Sequence, residues 1–240
     1  MDLETYSRQH PHFYGDGAAM PPLREALAGR AGTFLDIGTG DGSKLEALLR
    51  TGLLEGFDRI IGVDLSPVRI DHLHARLPQV EGLVADACSL PLEDASVDVL
   101  YSDQVIEHVP DDNEMALEIA RVLKKGGSAI IGSVLRSPGA WYIYKVDGER
   151  RLDPTHVREY SNAVDYGSVF VRAGLRVTST LCVPLNFPVA DLLLRLLIKF
   201  GLIAPAFALT LYSKLPFSQL LRRPRLTIPR YELVYAFVEK

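Results

Sequence analysis

The chain has 240 residues, of which 48% are hydrophobic and 23% charged, and its formal net charge is −4. That suits one well-buried soluble domain and gives no overall attraction to nucleic acid. Cys88 and Cys182 are too far apart for a metal-ligand pair or a disulfide framework. They read as buried thiols in a reducing compartment, and no metal is expected.

Residues 1–22 carry Tyr6, His10, His12 and Tyr14 and end in Pro21-Pro22, which reads as a loop or short helix covering something. They contain no apolar stretch of the signal-peptide kind, so a cytoplasmic protein is expected. Residues 23–30 have helical spacing. Residues 33–37 form a short apolar run ended by glycines, the pattern of a buried strand. Residues 43–54 read as a helix, with Ser43 as its cap and Leu45, Leu48 and Leu49 on one face. A second strand spans 59–64, and Ser66-Pro67 opens another helix. Residues 82–85 and 97–102 read as the third and fourth strands. A helix over 112–123 starts with acids and ends at Lys124-Lys125-Gly126-Gly127. Residues 128–134 make a fifth strand, 162–173 a helix stopped by Gly174, 175–183 a sixth strand and 231–238 the last. Strands alternating with helices imply one α/β domain over 1–240, with a mainly parallel, doubly wound sheet covered on both faces.

The sharpest motif is Asp36-Ile-Gly38-Thr-Gly40-Asp-Gly42, between a predicted strand and a predicted helix. Glycines let the chain turn tightly and let a ligand approach the backbone, and the following helix start offers free N–H groups to an anion. Asp64 ends the second strand, where a carboxylate can accept from both ribose hydroxyls. A nicotinamide dinucleotide is the other natural ligand of such a crevice. Its fingerprint is Gly-x-Gly-x-x-Gly, and here Lys44 follows Gly42 with no third glycine in register.

The segments FLDIGTGDG, VDLSP, ADACSLPLEDASVDVLYSDQVIEHVPD and RVLKKGGSAIIGS, taken in order over residues 30–180, resemble the class I S-adenosylmethionine-dependent methyltransferases. The likeness is strongest to the branch holding quinone-pathway and small-molecule enzymes. The resemblance implies a seven-stranded Rossmann-like sheet whose last strand is antiparallel. It implies S-adenosylmethionine as cofactor and S-adenosylhomocysteine as product. By the same resemblance Asp36, Gly38, Gly40 and Gly42 surround the methionine part, Asp64 holds the ribose and Leu65 packs on the adenine. Asp86 and Ala87 meet the adenine edge. Ser102, Asp103 and Gln104 line the methyl-transfer side.

Methyl transfer is a displacement that requires the acceptor held in line with the methyl group. A hydroxyl acceptor also needs a base, for which histidine is suited. His156, in Asp153-Pro-Thr-His-Val-Arg-Glu-Tyr160, follows the fifth strand and is the stronger candidate; capping the next helix is its alternative role. His108, in Ile-Glu-His-Val-Pro, reads first as a hydrogen-bonded helix-start histidine and second as a base. The Ser-Asp-Gln-Val after the fourth strand lacks the Asn/Asp-Pro-Pro-aromatic motif of amino-methylating relatives, leaving oxygen and carbon acceptors open.

Residues 184–229 stand out as an apolar and basic insert before the last strand. Asp191, Arg195 and Lys199 are spaced i, i+4 and form one stripe on a helix otherwise filled with leucines. An uncharged run over 200–212 contains Pro205, and Arg222, Arg223 and Arg225 follow. Residues 191–230 carry a net charge of +6, against −10 for the remainder. The charges at Arg195, Lys199 and Lys214 interrupt any membrane-spanning length. A helical lid over an apolar acceptor pocket, a segment lying on an anionic membrane and a homodimer interface are the three roles that fit. The expected partner is a small or lipid-like acceptor, and no nucleic acid.

Overall fold

The computed structural model describes residues 21–142, 144–146, 148–204 and 224–240. In chain order the elements are α1 (Pro21–Leu27), β1 (Gly32–Ile37), α2 (Ser43–Arg50), β2 (Phe57–Asp64), α3 (Pro67–Arg76), β3 (Glu81–Val84) and β4 (Val97–Asp103). There follow α4 (Asp112–Val122), β5 (Leu123–Arg136), β6 (Tyr144–Val146), β7 (Glu149–Arg151), α5 (Ala163–Arg172), β8 (Arg176–Pro188), α6 (Val189–Lys199) and β9 (Arg225–Glu239).

Seven strands form one sheet in the order β3-β2-β1-β4-β5-β9-β8. The first five pair in parallel, while β9 runs antiparallel to both β5 and β8. Alternation along the strands divides the core between two faces. Phe34, Val99, Tyr101, Ile130 and Tyr235 face α1, α2 and α3 through Leu23, Leu27, Leu45, Leu48, Ile70 and Leu73. Leu35, Ile37, Leu100, Ile131 and Val234 face α4 and α5 through Met115, Ile119, Val122, Tyr166 and Phe170. Each such side chain stabilises the fold by about 1.5–3 kcal/mol on burial. The connections reverse direction between β1 and β4, which opens a crevice beyond their C-terminal ends.

Local chemistry sets the helix starts. Asp111 accepts from the N–H groups of Asn113 (2.9 Å) and Glu114 (3.3 Å) ahead of α4. Asn162 does the same for Val164 (3.0 Å) and Asp165 (2.9 Å) ahead of α5. The cap of α2 is Gly42, not Ser43 as the sequence suggests, because the glycine loop delivers the chain in the left-handed region (φ 79°). Ser66 does occupy the cap of α3, with Pro67 behind it, but its hydroxyl makes no capping bond.

The cysteine expectation is corrected. Cys182 is exposed, because it lies on the edge strand β8, and Cys88 is only half-buried. The insert is also shorter than its sequence bounds. Residues 184–188 and 225–229 extend β8 and β9, with Asn186 opposite Thr227 and Phe187 opposite Leu226. Burial drives this extension: Leu185, Phe187 and Ile228 join Val134, Tyr142, Leu152 and Tyr231 in a third apolar cluster. The hairpin β6–β7, whose Tyr144 packs against this cluster, is absent from the sequence reading, although an Asp-Gly dipeptide in sequence is a turn signal. The predicted charged-stripe helix is α6. The expectations for Tyr6, His10, His12 and Tyr14, for most of the 200–212 run and for Lys214, Arg222 and Arg223 lie outside the described residues. Among the described residues no helix is long and apolar enough to cross a membrane.

Candidate active site

The loop after β1 is tied to β2 by the N–H groups of Gly38 (2.7 Å) and Thr39 (2.9 Å), both donating to the Val63 carbonyl. Gly38, Gly40 and Gly42 all have positive φ (75°, 59° and 79°), which only glycine adopts freely. Two of them are also fixed by packing. A Cβ at Gly38 would lie 2.1 Å from Val105 Cγ2, and one at Gly42 would lie 2.5 Å from Leu73 Cδ1. Asp36, at the end of β1, is 3% exposed, and burial pushes its carboxyl up to about 7.

Asp64 ends β2 and is likewise buried. Its Oδ2 accepts from the Gly40 N–H (3.0 Å) and its Oδ1 from the Ser66 N–H (2.9 Å), while Arg69 Nη1 stands 3.6 Å away. The carboxylate therefore positions both the glycine loop and the start of α3. Leu65 is 54% exposed beside it. Asp86 closes a tight turn by accepting from the Cys88 N–H (2.9 Å), and Ala87 is buried.

The end of β4 carries the third group. Ser102 is fully buried, and its Oγ donates to the Ile37 carbonyl (3.1 Å), bracing β4 against β1. Asp103 pairs with Lys44 and accepts from the Tyr101 hydroxyl (3.2 Å). Gly132 on β5 makes room for it, since a Cβ there would lie 2.2 Å from Asp103 Oδ1. Gln104 has φ 62°, and its N–H donates to the Gly132 carbonyl (3.1 Å). Four polar atoms around this crevice are buried with no partner: Thr39 Oγ1, Ser66 Oγ, Asp103 Oδ1 and Gln104 Nε2. Buried polar atoms are normally satisfied, so such a ring fits a polar ligand at the ends of β1, β2 and β4.

A second cluster borders the crevice. Glu107 is fully buried; its Oε2 accepts from Ser133 Oγ (2.9 Å), and burial pushes its carboxyl up to about 7. Its backbone carbonyl accepts from the Val157 N–H (2.9 Å), which brings the 153–160 loop over the end of β4. His108 and His156 meet edge to face, with ring centres 4.9 Å apart. Burial pulls the His108 imidazole down to about 4. Burial opposes the charge of His156 as well, but Glu159 at 2.9 Å, with Glu107 and Asp153, outweighs it and raises its pKa.

Residues 35–131 match the family described as methyltransferase domain. A Mycolicibacterium smegmatis relative named "Probable S-adenosylmethionine-dependent methyltransferase" is 34% identical over 162 residues, covering 66% of this chain and 57% of the relative. Residues 35–131 are thus similar to a methyltransferase domain. The ubiquinone biosynthesis O-methyltransferase of Xanthomonas oryzae pv. oryzae is 29% identical over 143 residues, 54% of this chain and 55% of that protein. This chain thus spans under two thirds of the length of these curated relatives. Among solved structures, a phosphoethanolamine N-methyltransferase 2 from Haemonchus contortus, in complex with S-adenosylhomocysteine, aligns with a TM-score of 0.62. Its identity is 17%, over 100% of this chain and 58% of that one, which supports the class I fold.

The fold gathers Asp36, Gly38, Gly40, Gly42 and Asp64 in the crevice, as the motif spacing requires. It also brings His108 and His156 together, although 48 positions separate them. Three participants were missed. Lys44 registered in sequence only as a missing glycine, yet its ammonium reaches Asp103 and the Tyr101 hydroxyl (3.0 Å). Glu107 was part of a quoted motif with no role of its own. Glu159 sits three residues after His156, a one-turn spacing that could have marked it as the imidazole's partner.

Proposed function

We propose that the chain transfers a methyl group from S-adenosylmethionine to the hydroxyl of a small, apolar or lipid-linked acceptor. The ring of unpartnered buried atoms at the ends of β1, β2 and β4, inside a region similar to a methyltransferase domain, carries this reading. Asp36 and the glycines cradle the methionine part, with the carboxylate facing its ammonium. Asp64 accepts from the ribose hydroxyls on lone pairs left over from its two backbone bonds. Leu65 covers one face of the adenine, and Asp86 and Ala87 meet its edge. Asp103 and Gln104 face the methyl-transfer side, and Ser102 braces the strand that carries them. The cofactor supplies an electrophilic methyl group; this chain's task is to hold the acceptor in line and exclude water.

The choice of a hydroxyl rests on His156, with Glu159 behind it and Glu107 and His108 beside it. The acceptor's oxygen is placed against this cluster and loses its proton there. The choice of an apolar acceptor is supported by α6, where Val189, Leu193, Leu197 and Phe200 are exposed along one stripe at spacings of four, four and three. A membrane surface or a second copy of the chain are the other occupants of that stripe. A polar metabolite acceptor would leave the stripe to them.

Methyl-labelled S-adenosylmethionine incubated with the protein and a cell extract tests the reading after solvent partition. Label in the organic phase is expected. Label only in the aqueous or macromolecular phase would replace the apolar acceptor with a metabolite, glycan or protein. No label anywhere, with cofactor binding intact, would make the chain a binding protein without turnover.

A further inference from the structure

Glu107, His108 and His156 each present one donor atom, and these atoms lie within 4.8 Å of one another. The protonation of both rings follows from their neighbours. The Thr155 hydroxyl gives its proton to Asp153 Oδ1 (2.6 Å), so at 3.0 Å from His108 Nδ1 it can only accept. The Thr155 carbonyl, 3.3 Å away, is also an acceptor. His108 Nδ1 therefore carries the hydrogen. His156 Nδ1 faces Glu159 Oε1 at 2.9 Å and donates to that carboxylate. Glu159 is itself held by the Leu152 N–H (2.7 Å). Both imidazoles are thus held from behind through Nδ1, so that in its neutral form each presents an Nε2 lone pair, which is how metal-bound histidines are oriented. Glu107 is fully buried, and its Oε1 has no hydrogen-bond partner. A carboxyl oxygen left so in a protein interior is costly until the group holds a proton or meets a cation.

We propose that Glu107, His108 and His156 bind a first-row divalent cation. Two neutral imidazoles and one carboxylate suit Zn²⁺, Mn²⁺ or Fe²⁺ better than Mg²⁺ or Ca²⁺, and three protein ligands leave coordination positions open. This rests on the hydroxyl-acceptor reading above and sharpens it: His156 serves as a ligand, and the cation takes over the base's work by acidifying the acceptor's hydroxyl. The hydroxyl proton leaves to water. The C–O bond forms as the S–CH₃ bond breaks, and that electron pair stays on sulfur, so no oxidant or reductant is consumed. Sequence spacing concealed the site, because its ligands come from the loop after β4 and the loop after β7.

The test is a calorimetric titration of the chelator-treated, dialysed full chain with Mn²⁺ and with Zn²⁺, alongside the electron paramagnetic resonance signal of Mn²⁺. One equivalent is expected to bind. Glu107→Gln and His108→Ala should abolish it, and Glu159→Gln, which touches no ligand atom, should weaken it about 10–100-fold. S-adenosylhomocysteine affinity, measured on every variant, verifies folding. No binding to the wild type, or equal binding to the folded His108→Ala and Glu159→Gln variants, overturns the site. Label transfer with and without chelator separates the two readings. Hydroxyl methylation that persists in chelator, without metal binding, removes the cation and leaves the acceptor. Metal binding that Glu107→Gln abolishes, without hydroxyl methylation, keeps the site and removes the acceptor.

Discussion

Replacing Asp36 by Asn should stabilise the cofactor-free protein at alkaline pH while weakening its grip on cofactor. Burial raises this carboxyl from 3.8 to about 7, so the folded state holds its proton more tightly than the unfolded state does. Stability from such a group is fully present below the unfolded value and is lost as pH rises toward the folded one. About two units of that window lie between pH 5 and 7, which at 1.36 kcal/mol per unit is about 3 kcal/mol. Asn has the same shape and no charge, so it carries none of this loss. Urea denaturation of both proteins at pH 5 and pH 8 isolates the difference, because other titrating groups cancel between them. The variant should gain on the wild type by about 1–3 kcal/mol between the two pH values, the lower figure allowing for water reaching the crevice. Its affinity for S-adenosylhomocysteine should fall about tenfold or more with the lost carboxylate, about 1.4 kcal/mol. The wild-type affinity should rise with pH through about 7 as Asp36 ionises. A stability difference independent of pH would refute the buried charge, and an unchanged affinity would refute its role at the methionine ammonium.

Asp64→Ala should abolish S-adenosylhomocysteine binding in calorimetry while circular dichroism remains native; undiminished affinity would remove the ribose assignment. Gly38→Ala forces a Cβ within 2.1 Å of Val105 Cγ2 at φ 75° and should cost about 1–3 kcal/mol in thermal unfolding. The double variant Leu193→Glu and Leu197→Glu alters exposed positions on α6, so stability should stay within about 0.5 kcal/mol and cofactor affinity should not change. Turnover of an apolar acceptor should fall, and full turnover would show that the stripe serves another surface.

The cofactor half of the crevice was legible in the sequence because it is local. A glycine loop between a strand and a helix, and an acid at the end of the next strand, encode their backbone geometry within a few residues. Gly38, Gly40, Gly42 and Asp64 needed only the order of strands to fall into place. The alternation of apolar runs likewise announced the parallel sheet, since each strand buried on both faces must be apolar along its length. What required the tertiary structure is everything that depends on long-range pairing. Lys44 on α2 meets Asp103 at the end of β4, and nothing in its neighbourhood in sequence signals that ion pair. The ends of β8 and β9 extend because Leu185, Phe187 and Ile228 have a cluster to join, which local pattern does not reveal. His108 and His156 become one centre only because the Glu107 carbonyl draws a distant loop over the end of β4. Local periodicity fixes which elements form, but the protonation and free lone pairs of a buried cluster are set by partners that only folding brings within hydrogen-bond reach.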